Sequence, residues 1–133
     1  MVVRKTMTNL EIYNIASTIV ELLNKMTEEN ITLPIKANFY FQKNANTLTT
    51  LAKELEEERS KIISKYGTPV EGEEGKVTID PDKVDEANTE LFDLFNLEQE
   101  VAVNMIDIDS FGNVEMTPTQ MAAITFMIKD DEE

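Results

Sequence analysis

Cysteine and histidine are both absent from the chain, and their absence excludes several classes of site. Without cysteine there is no disulfide, and without either residue the usual zinc and copper sites lose their thiolate and imidazole ligands. A Cys–His pair or a Ser-His-Asp triad is excluded too, because both need an imidazole base. No pair of carboxylates is flanked by the apolar and aromatic residues that would split their pKa values for acid–base work. We therefore predict a non-enzymatic protein with no catalytic residue, no metal and no cofactor.

Long apolar runs are also missing. Tryptophan is absent, and no stretch approaches the roughly 20 apolar residues that a membrane span needs. An amphipathic segment follows Arg4 and Lys5, which argues against a secretory signal peptide. The length of 133 residues is that of one domain. We expect a single cytoplasmic domain over residues 1–133 that makes no membrane contact.

Basic residues are scarce in the second part of the chain, which gives the protein a formal net charge of −14. Residues 1–53 carry six basic and four acidic side chains, whereas residues 54–133 carry six basic and 22 acidic ones. Such a charge distribution repels nucleic acid and attracts basic surfaces. We therefore predict no direct nucleic-acid binding and a protein partner with a basic surface. The alternative is that the excess acid only keeps the protein soluble.

Local signals predict four helices. The first begins at a capping box, in which the side chains of Thr8 and Glu11 each bond the backbone N–H of the other residue. The second and longest covers residues 34–66. Asp80-Pro81 and Thr117-Pro118 each combine an N-cap residue with a first-turn proline, so they open the third and fourth helices.

Within the long helix, seven-residue periodicity predicts a seam of the coiled-coil type. A helix this long rarely packs only within its own small domain, so we predict a homo-oligomer, with a dimer favoured. Arg59 is the one charged seam member, and it would set the register or pair with a carboxylate. An extended start over residues 35–41 remains an alternative. The predicted self-association seam contains Phe41, Leu48, Leu55, Arg59, Ile62 and Tyr66.

Two-residue alternation predicts a minor β component. Apolar residues alternate over 101–108 with one change of phase, which suggests a strand with a bulge near Met105. Residues 76–79 are a second candidate strand. The predicted fold class is mainly α with minor β: about four helices and one or two short strands. The segments expected to be flexible are the ends, residues 1–7 and 129–133, and the loop 67–80.

Four glutamates form the densest acidic run: Glu54, Glu56, Glu57 and Glu58. On the long helix they spread over the outward side, because Leu55 and Arg59 occupy the seam. One interpretation is a solvated outer face. The other is an acidic face that docks on a basic protein surface, for example one that normally holds nucleic acid.

Lys36, Tyr40, Lys43 and Asn44 lie in the only net-basic part of the chain and share one side of the predicted helix. Ordinary exposed lysines that lie along apolar neighbours would give the same pattern. The alternative is a contact site for a phosphate or a small nucleotide held between subunits.

Several short motifs occur in an order and spacing that indicate a family. They are Leu33-Pro34-Ile35-Lys36, Lys43-Asn44, Glu56-Glu57-Glu58-Arg59, Lys65-Tyr66-Gly67, Val114-Glu115-Met116-Thr117-Pro118 and Phe126-Met127-Ile128. On these motifs the chain resembles a family of small uncharacterised proteins from tailed phages and prophages of Gram-positive bacteria. The resemblance implies a phage or prophage origin and expression in the cytoplasm of a bacterial host. It implies no catalytic residues.

Three functional hypotheses follow. The first is a phage-encoded binding protein that acts through protein–protein contacts on a host factor, such as a defence protein or a nucleic-acid-handling protein. The second is a structural or assembly accessory protein of the phage. The third is an oligomeric sponge for a small nucleotide signal, against which the net negative charge argues.

Overall fold

The computed structural model describes residues 2–72, 76–112 and 114–129. These residues form four α-helices and two small antiparallel sheets of two strands each, so the predicted mainly α class with minor β is confirmed. None of the described helices is both long and apolar enough to cross a membrane. The α-helices and strands are β1 (Val2–Thr8), α1 (Asn9–Glu28), α2 (Ile35–Tyr66), β2 (Gly67–Pro69), β3 (Val77–Ile79), α3 (Val84–Asn96), β4 (Glu98–Asn104) and α4 (Pro118–Ile124).

Helix α1 begins at the predicted capping box, and α4 begins at the predicted N-cap residue Thr117. The hydroxyl oxygen of Thr8 accepts from the Glu11 N–H at 3.1 Å, and Glu11 Oε1 accepts from the Thr8 N–H at 3.0 Å. Thr117 and Gln120 form the same pair of bonds at the start of α4. Each box satisfies N–H groups that the first helical turn leaves without a partner. The buried stripe of α1 consists of Ile12, Ala16, Ile19, Leu22 and Met26.

Helix α2 packs antiparallel against that stripe. It is helical from Ile35, with Pro34 as its N-cap, so the alternative of an extended start is wrong. Phe41 and Leu48 are fully buried, and Leu55 is 5% exposed. These three side chains belong to the core of their own chain and cannot contact a second copy without leaving it. This corrects the predicted self-association seam: the heptad spacing of α2 is used within the chain, while Arg59, Ile62 and Tyr66 stay half-buried.

Strand β1 stands where the sequence suggested a flexible end. It pairs antiparallel with β4 over seven residues, with Val3 opposite Val103 and Lys5 opposite Val101. Val3 and Met7 lie on the inward face of β1, and Met7 is buried. Because Lys5 occupies the inward position between them, the alternation of apolar and polar residues is broken in the sequence. Residues 2–7 of the predicted flexible end thus form a paired strand, and residue 1 lies outside the described range.

A short hairpin of β2 and β3 replaces most of the flexible loop predicted over residues 67–80. Gly67 directly follows α2 with an extended backbone, so it is not the left-handed helix cap that glycine often provides at this position. A Cβ atom on Gly67 would come within 2.3 Å of Val77 Cγ1 and 2.8 Å of the Ile63 carbonyl oxygen. Close packing of the two strands therefore explains the glycine. Residues 73–75 of the predicted loop lie outside the described residues.

The strand predicted over residues 101–108 is shorter than expected. Strand β4 ends at Asn104, and Ile106 then forms a parallel bridge with Ile128. The prediction of one strand with a bulge near Met105 is therefore wrong. The alternation of apolar residues changes phase near Met105 because Asn104 pairs with β1, whereas Ile106 pairs with Ile128.

Backbone hydrogen bonds also hold the start of the predicted flexible C-terminal end. The Lys129 N–H donates to the Ile106 carbonyl oxygen at 2.8 Å. Residues 130–133, the rest of this predicted end, lie outside the described part of the chain.

Candidate functional site

The predicted acidic face lies on the second half of α2, and the structure divides its four glutamates into two kinds. Two ion pairs form along the helix: Glu56 with Arg59 at 3.2 Å, and Glu58 with Lys61 at 3.1 Å. Glu54 and Glu57 are exposed, and neither has an ion pair within the described ranges. Half of the run is therefore paired internally, and the other half is available to a partner.

Arg59 does not reach a carboxylate on a facing helix; it joins a small network on α2. Glu56 accepts from Arg59 Nη1 through Oε1 and from the Tyr13 hydroxyl of α1 at 2.8 Å through Oε2. The hydrogen bond to Glu56 raises the pKa of Tyr13, and desolvation adds to the effect. This network joins α1 to α2 at the edge of the acidic face and fixes the orientation of Glu56.

We expect Tyr13→Phe to lower the free energy of unfolding by about 1 kcal/mol, because it removes the hydroxyl bond to Glu56 but keeps the ring. The ring packs edge-on against Phe95 with 5.5 Å between centroids, and phenylalanine preserves that contact. Urea denaturation measures the change. Tyr40→Phe is the matched control with no expected loss, since no hydrogen bond of the Tyr40 hydroxyl occurs within the described residues.

The raised pKa of Tyr13 also predicts a pH dependence. Its protonated form is favoured in the folded state, so this stability is present below the unfolded pKa and is lost as the pH rises through the folded pKa. The difference between wild type and Tyr13→Phe should therefore shrink at strongly alkaline pH. A difference that stays constant from neutral to alkaline pH would contradict this assignment.

Helix α3 packs beside α2 and adds carboxylates to the same end of the molecule. Lys65 Nζ lies 3.2 Å from Glu90 Oε2, joining the two helices. The pKa of Glu90 is lowered first by a hydrogen bond from Tyr66 and then by Lys65. Asp85 and Asp93 of α3 are exposed and have no ion pair among the described residues. Helix α3 therefore adds two exposed carboxylates to the negative charge carried by α2.

A groove of about 310 Å³ runs between α1 and α2 at the border of the acidic face. The groove stays open because small side chains leave the space between the helices unfilled. Ala16 and Ser17 of α1 line it on one side and Ala52 of α2 on the other. Val20 adds an apolar side chain that is 41% exposed. We call this feature the α1–α2 groove; its lining residues are Tyr13, Ala16, Ser17, Val20, Thr49, Ala52 and Lys53.

Lys53 lines both the α1–α2 groove and a shallow hollow farther along α2. Glu56 and Glu57 line the same hollow. An apolar groove and a carboxylate that lacks an internal partner therefore lie side by side on one surface. This surface, the α1–α2 groove with Glu57, is the candidate functional site; Glu54 is exposed one turn earlier on the same helix.

The four residues of the predicted anion contact do not all meet at one site, because Lys43 and Asn44 lie elsewhere. Asn44 is 2% exposed, and its side-chain amide bonds the backbone of Asn104. Lys43 lies over the ring of Phe39, with Nζ 5.4 Å from the ring centroid. Asn44 is thus a structural residue, and Lys43 stands apart from the other predicted members.

Lys36 and Tyr40, the other two predicted members, do share a site. Both line a cleft between the start of α2 and the C-terminal segment, together with Ser110 and Lys129. Sequence reasoning missed Ser110 and Lys129 because they are distant in the chain from α2. The bridge between Ile106 and Ile128 and the backbone hydrogen bonds around it bring the C-terminal segment to this place.

Comparison with known proteins gives no match: no protein-family model, curated protein or solved structure matches the chain. The functional argument therefore depends on the geometry of the described residues.

Proposed function

We propose that the chain is a small acidic binding protein without enzymatic activity, encoded by a phage or prophage, that acts on a host factor through protein–protein contacts. The observation that carries the proposal is that the α1–α2 groove adjoins the hollow lined by Glu57, because Lys53 lines both. The suggested phage origin and bacterial cytoplasm derive from the sequence motifs. A nucleic-acid-handling protein fits the partner class, because its binding surface is basic, and so does a host defence protein that acts on nucleic acid.

The two parts of the site support complementary contacts. An apolar side chain of the partner fits between the small residues of the α1–α2 groove, where burial supplies affinity. Basic side chains of the partner pair with Glu54 and Glu57, which steers association and adds specificity. Asp85 and Asp93 on α3 extend the negative surface on which such a partner is attracted.

The test is capture of partners from a lysate of phage-infected host cells by the immobilised protein at two salt concentrations. The informative variant is Glu54→Gln with Glu57→Gln, which removes two charges at the site. The matched control is Glu28→Gln with Glu29→Gln, which removes two exposed charges at the end of α1. We expect the first variant to lose most of the captured protein and the control to retain it.

Salt should weaken capture by the wild type, because screening acts on the exposed carboxylates. Equal capture by both variants, or capture that does not depend on salt, would contradict the proposed site. If the captured protein is a virion component, the partner belongs to phage assembly and the host-factor part of the proposal is wrong.

Self-association is a separate part of the proposal. Since Phe41, Leu48 and Leu55 are buried, a dimer must use another surface, such as the half-buried end of α2 at Ile62 and Tyr66. Sedimentation at micromolar concentration tests it, and a monomer at all concentrations would refute it.

A further inference from the structure

A cleft of about 120 Å³ lies between the first turns of α2 and the C-terminal segment, apart from the α1–α2 groove. Its polar groups come from three parts of the chain that are distant in sequence. Met105 and Ile106 are buried and supply apolar lining. The polar residues that line the cleft are Lys36, Tyr40, Asp107, Ser110 and Lys129.

Two lysines reach this cleft from different elements. Lys36 is in the first turn of α2, and its Nζ lies 5.8 Å from the centroid of the Tyr40 ring. Lys129 is positioned by its backbone N–H, which donates to the Ile106 carbonyl oxygen. Neither ammonium group has an ion pair within the described ranges, so both are available to a ligand.

The backbone adds to this positive environment. Pro34 caps α2 without a side-chain hydrogen bond, and the first turn contains no acidic residue. The first N–H groups of a helix have no partner within the helix, and they carry a partial positive charge. Pro34, Lys36 and Ala37 of this turn all line the cleft.

We propose that this cleft binds a small protonated oxyanion, for which inorganic phosphate is the fitting species. Its volume equals the share of about four water molecules in the liquid, far below the roughly 300 Å³ of the smallest typical ligand pockets. The cleft therefore accommodates a group of phosphate size rather than a whole nucleotide. The two ammonium groups and the Ser110 hydroxyl supply charge-assisted and neutral hydrogen bonds to its oxygens.

Asp107 sets the preference among oxyanions. Asp107 lines the same cleft, and its negative charge repels a fully ionised oxyanion. Inorganic phosphate keeps a proton at neutral pH and can donate it in a hydrogen bond to the carboxylate, whereas sulfate has none to donate. We therefore expect phosphate to bind more tightly than sulfate or a nucleoside monophosphate.

The test is thermal unfolding and calorimetric titration of the whole chain with phosphate, sulfate or a nucleoside monophosphate at matched ionic strength. At a phosphate concentration ten times the dissociation constant, the Tm should rise by about 5 °C. Lys36→Gln should weaken phosphate binding at least about tenfold, since it removes a charged donor. Lys43→Gln is the control, because Lys43 also lies over an aromatic ring of α2 but does not line the cleft.

The outcomes separate the parts of the proposal. Phosphate binding that Lys36→Gln weakens and Lys43→Gln preserves supports the site. A preference for phosphate that Asp107→Asn abolishes supports the role of the carboxylate, and equal binding of sulfate contradicts that role. No binding of any oxyanion, or equal loss in both lysine variants, overturns the site. None of these results bears on the α1–α2 groove, so the proposed function is tested separately.

Discussion

Replacing Phe41 by alanine should lower the free energy of unfolding by about 3–5 kcal/mol, the largest effect that we expect from a single substitution in this chain. Phe41 is fully buried at the start of α2, and its ring meets that of Phe111 edge-on at 5.7 Å between centroids. The substitution leaves a cavity between α2 and the C-terminal segment, which the surrounding helices can fill only in part. Chemical denaturation monitored by circular dichroism measures the loss.

Phe39→Ala is the matched control for that experiment. Phe39 is two residues away on the same helix, but it is 58% exposed. We expect its replacement to change stability by about 0.5 kcal/mol or less. Equal losses for Phe39 and Phe41 would contradict the burial of Phe41 and reopen the possibility that α2 packs against a second copy.

Replacing Asn44 by alanine should cost about 3 kcal/mol, the second large effect. The Asn44 amide imitates a neighbouring strand: its Nδ2 donates to the Asn104 carbonyl oxygen and its Oδ1 accepts from the Asn104 N–H, both at 2.8 Å. These bonds satisfy the backbone N–H and carbonyl groups of Asn104 on the edge of β4 that does not face β1. The alanine variant leaves both backbone groups without a partner in a partly buried place, and denaturation again measures the loss.

Asn104→Ala distinguishes this account from a simple pair of side chains. Because Asn44 bonds the backbone of Asn104, the alanine variant at 104 keeps both strong bonds and loses only a contact of 3.4 Å between side chains. We expect its cost to be less than about 1 kcal/mol. Equal losses of stability for Asn44→Ala and Asn104→Ala would contradict the hydrogen bonds between the Asn44 amide and the Asn104 backbone.

The helices were predictable because their signals are local. A capping box such as Thr8 with Glu11 needs only residues three apart, and the burial stripe of α1 repeats at helical spacing. The same periodicity in α2 predicts an apolar stripe, and within the chain that stripe is buried. Spacing predicts that a face is buried, but it does not say whether the covering surface is α1 or a second copy.

The strands were harder to predict because their partners are distant in the chain. Strand β1 contains Lys5 at an inward position, which hides its alternation, and it gains its stability from β4 about 100 residues later. The bridge between Ile106 and Ile128 has no sequence signature, since it consists of one pair of residues. Pairing of this kind depends on tertiary packing rather than on local propensity.

The candidate site was predictable only in part. Composition located the acidic run, but it did not show that Arg59 and Lys61 neutralise two of the glutamates. The α1–α2 groove arises where Ala16 of one helix faces Ala52 of the other, and that juxtaposition depends on their antiparallel packing. Likewise, the sequence predicts Lys36 as an anion contact from its helix face, whereas only the fold places Lys129 in the same cleft.

Photo-crosslinking in the host is the most direct test of the central claim that the α1–α2 groove binds a partner protein. A photoreactive amino acid is placed at Ser17, which is exposed and lines the groove, or at Asn14, which is exposed on the same helix but does not line it. We predict a defined adduct with one basic protein from position 17 and none from position 14, and the adduct should fade when Glu54 and Glu57 are replaced by glutamine. Adducts of equal yield from both positions, or none from position 17, would contradict the account.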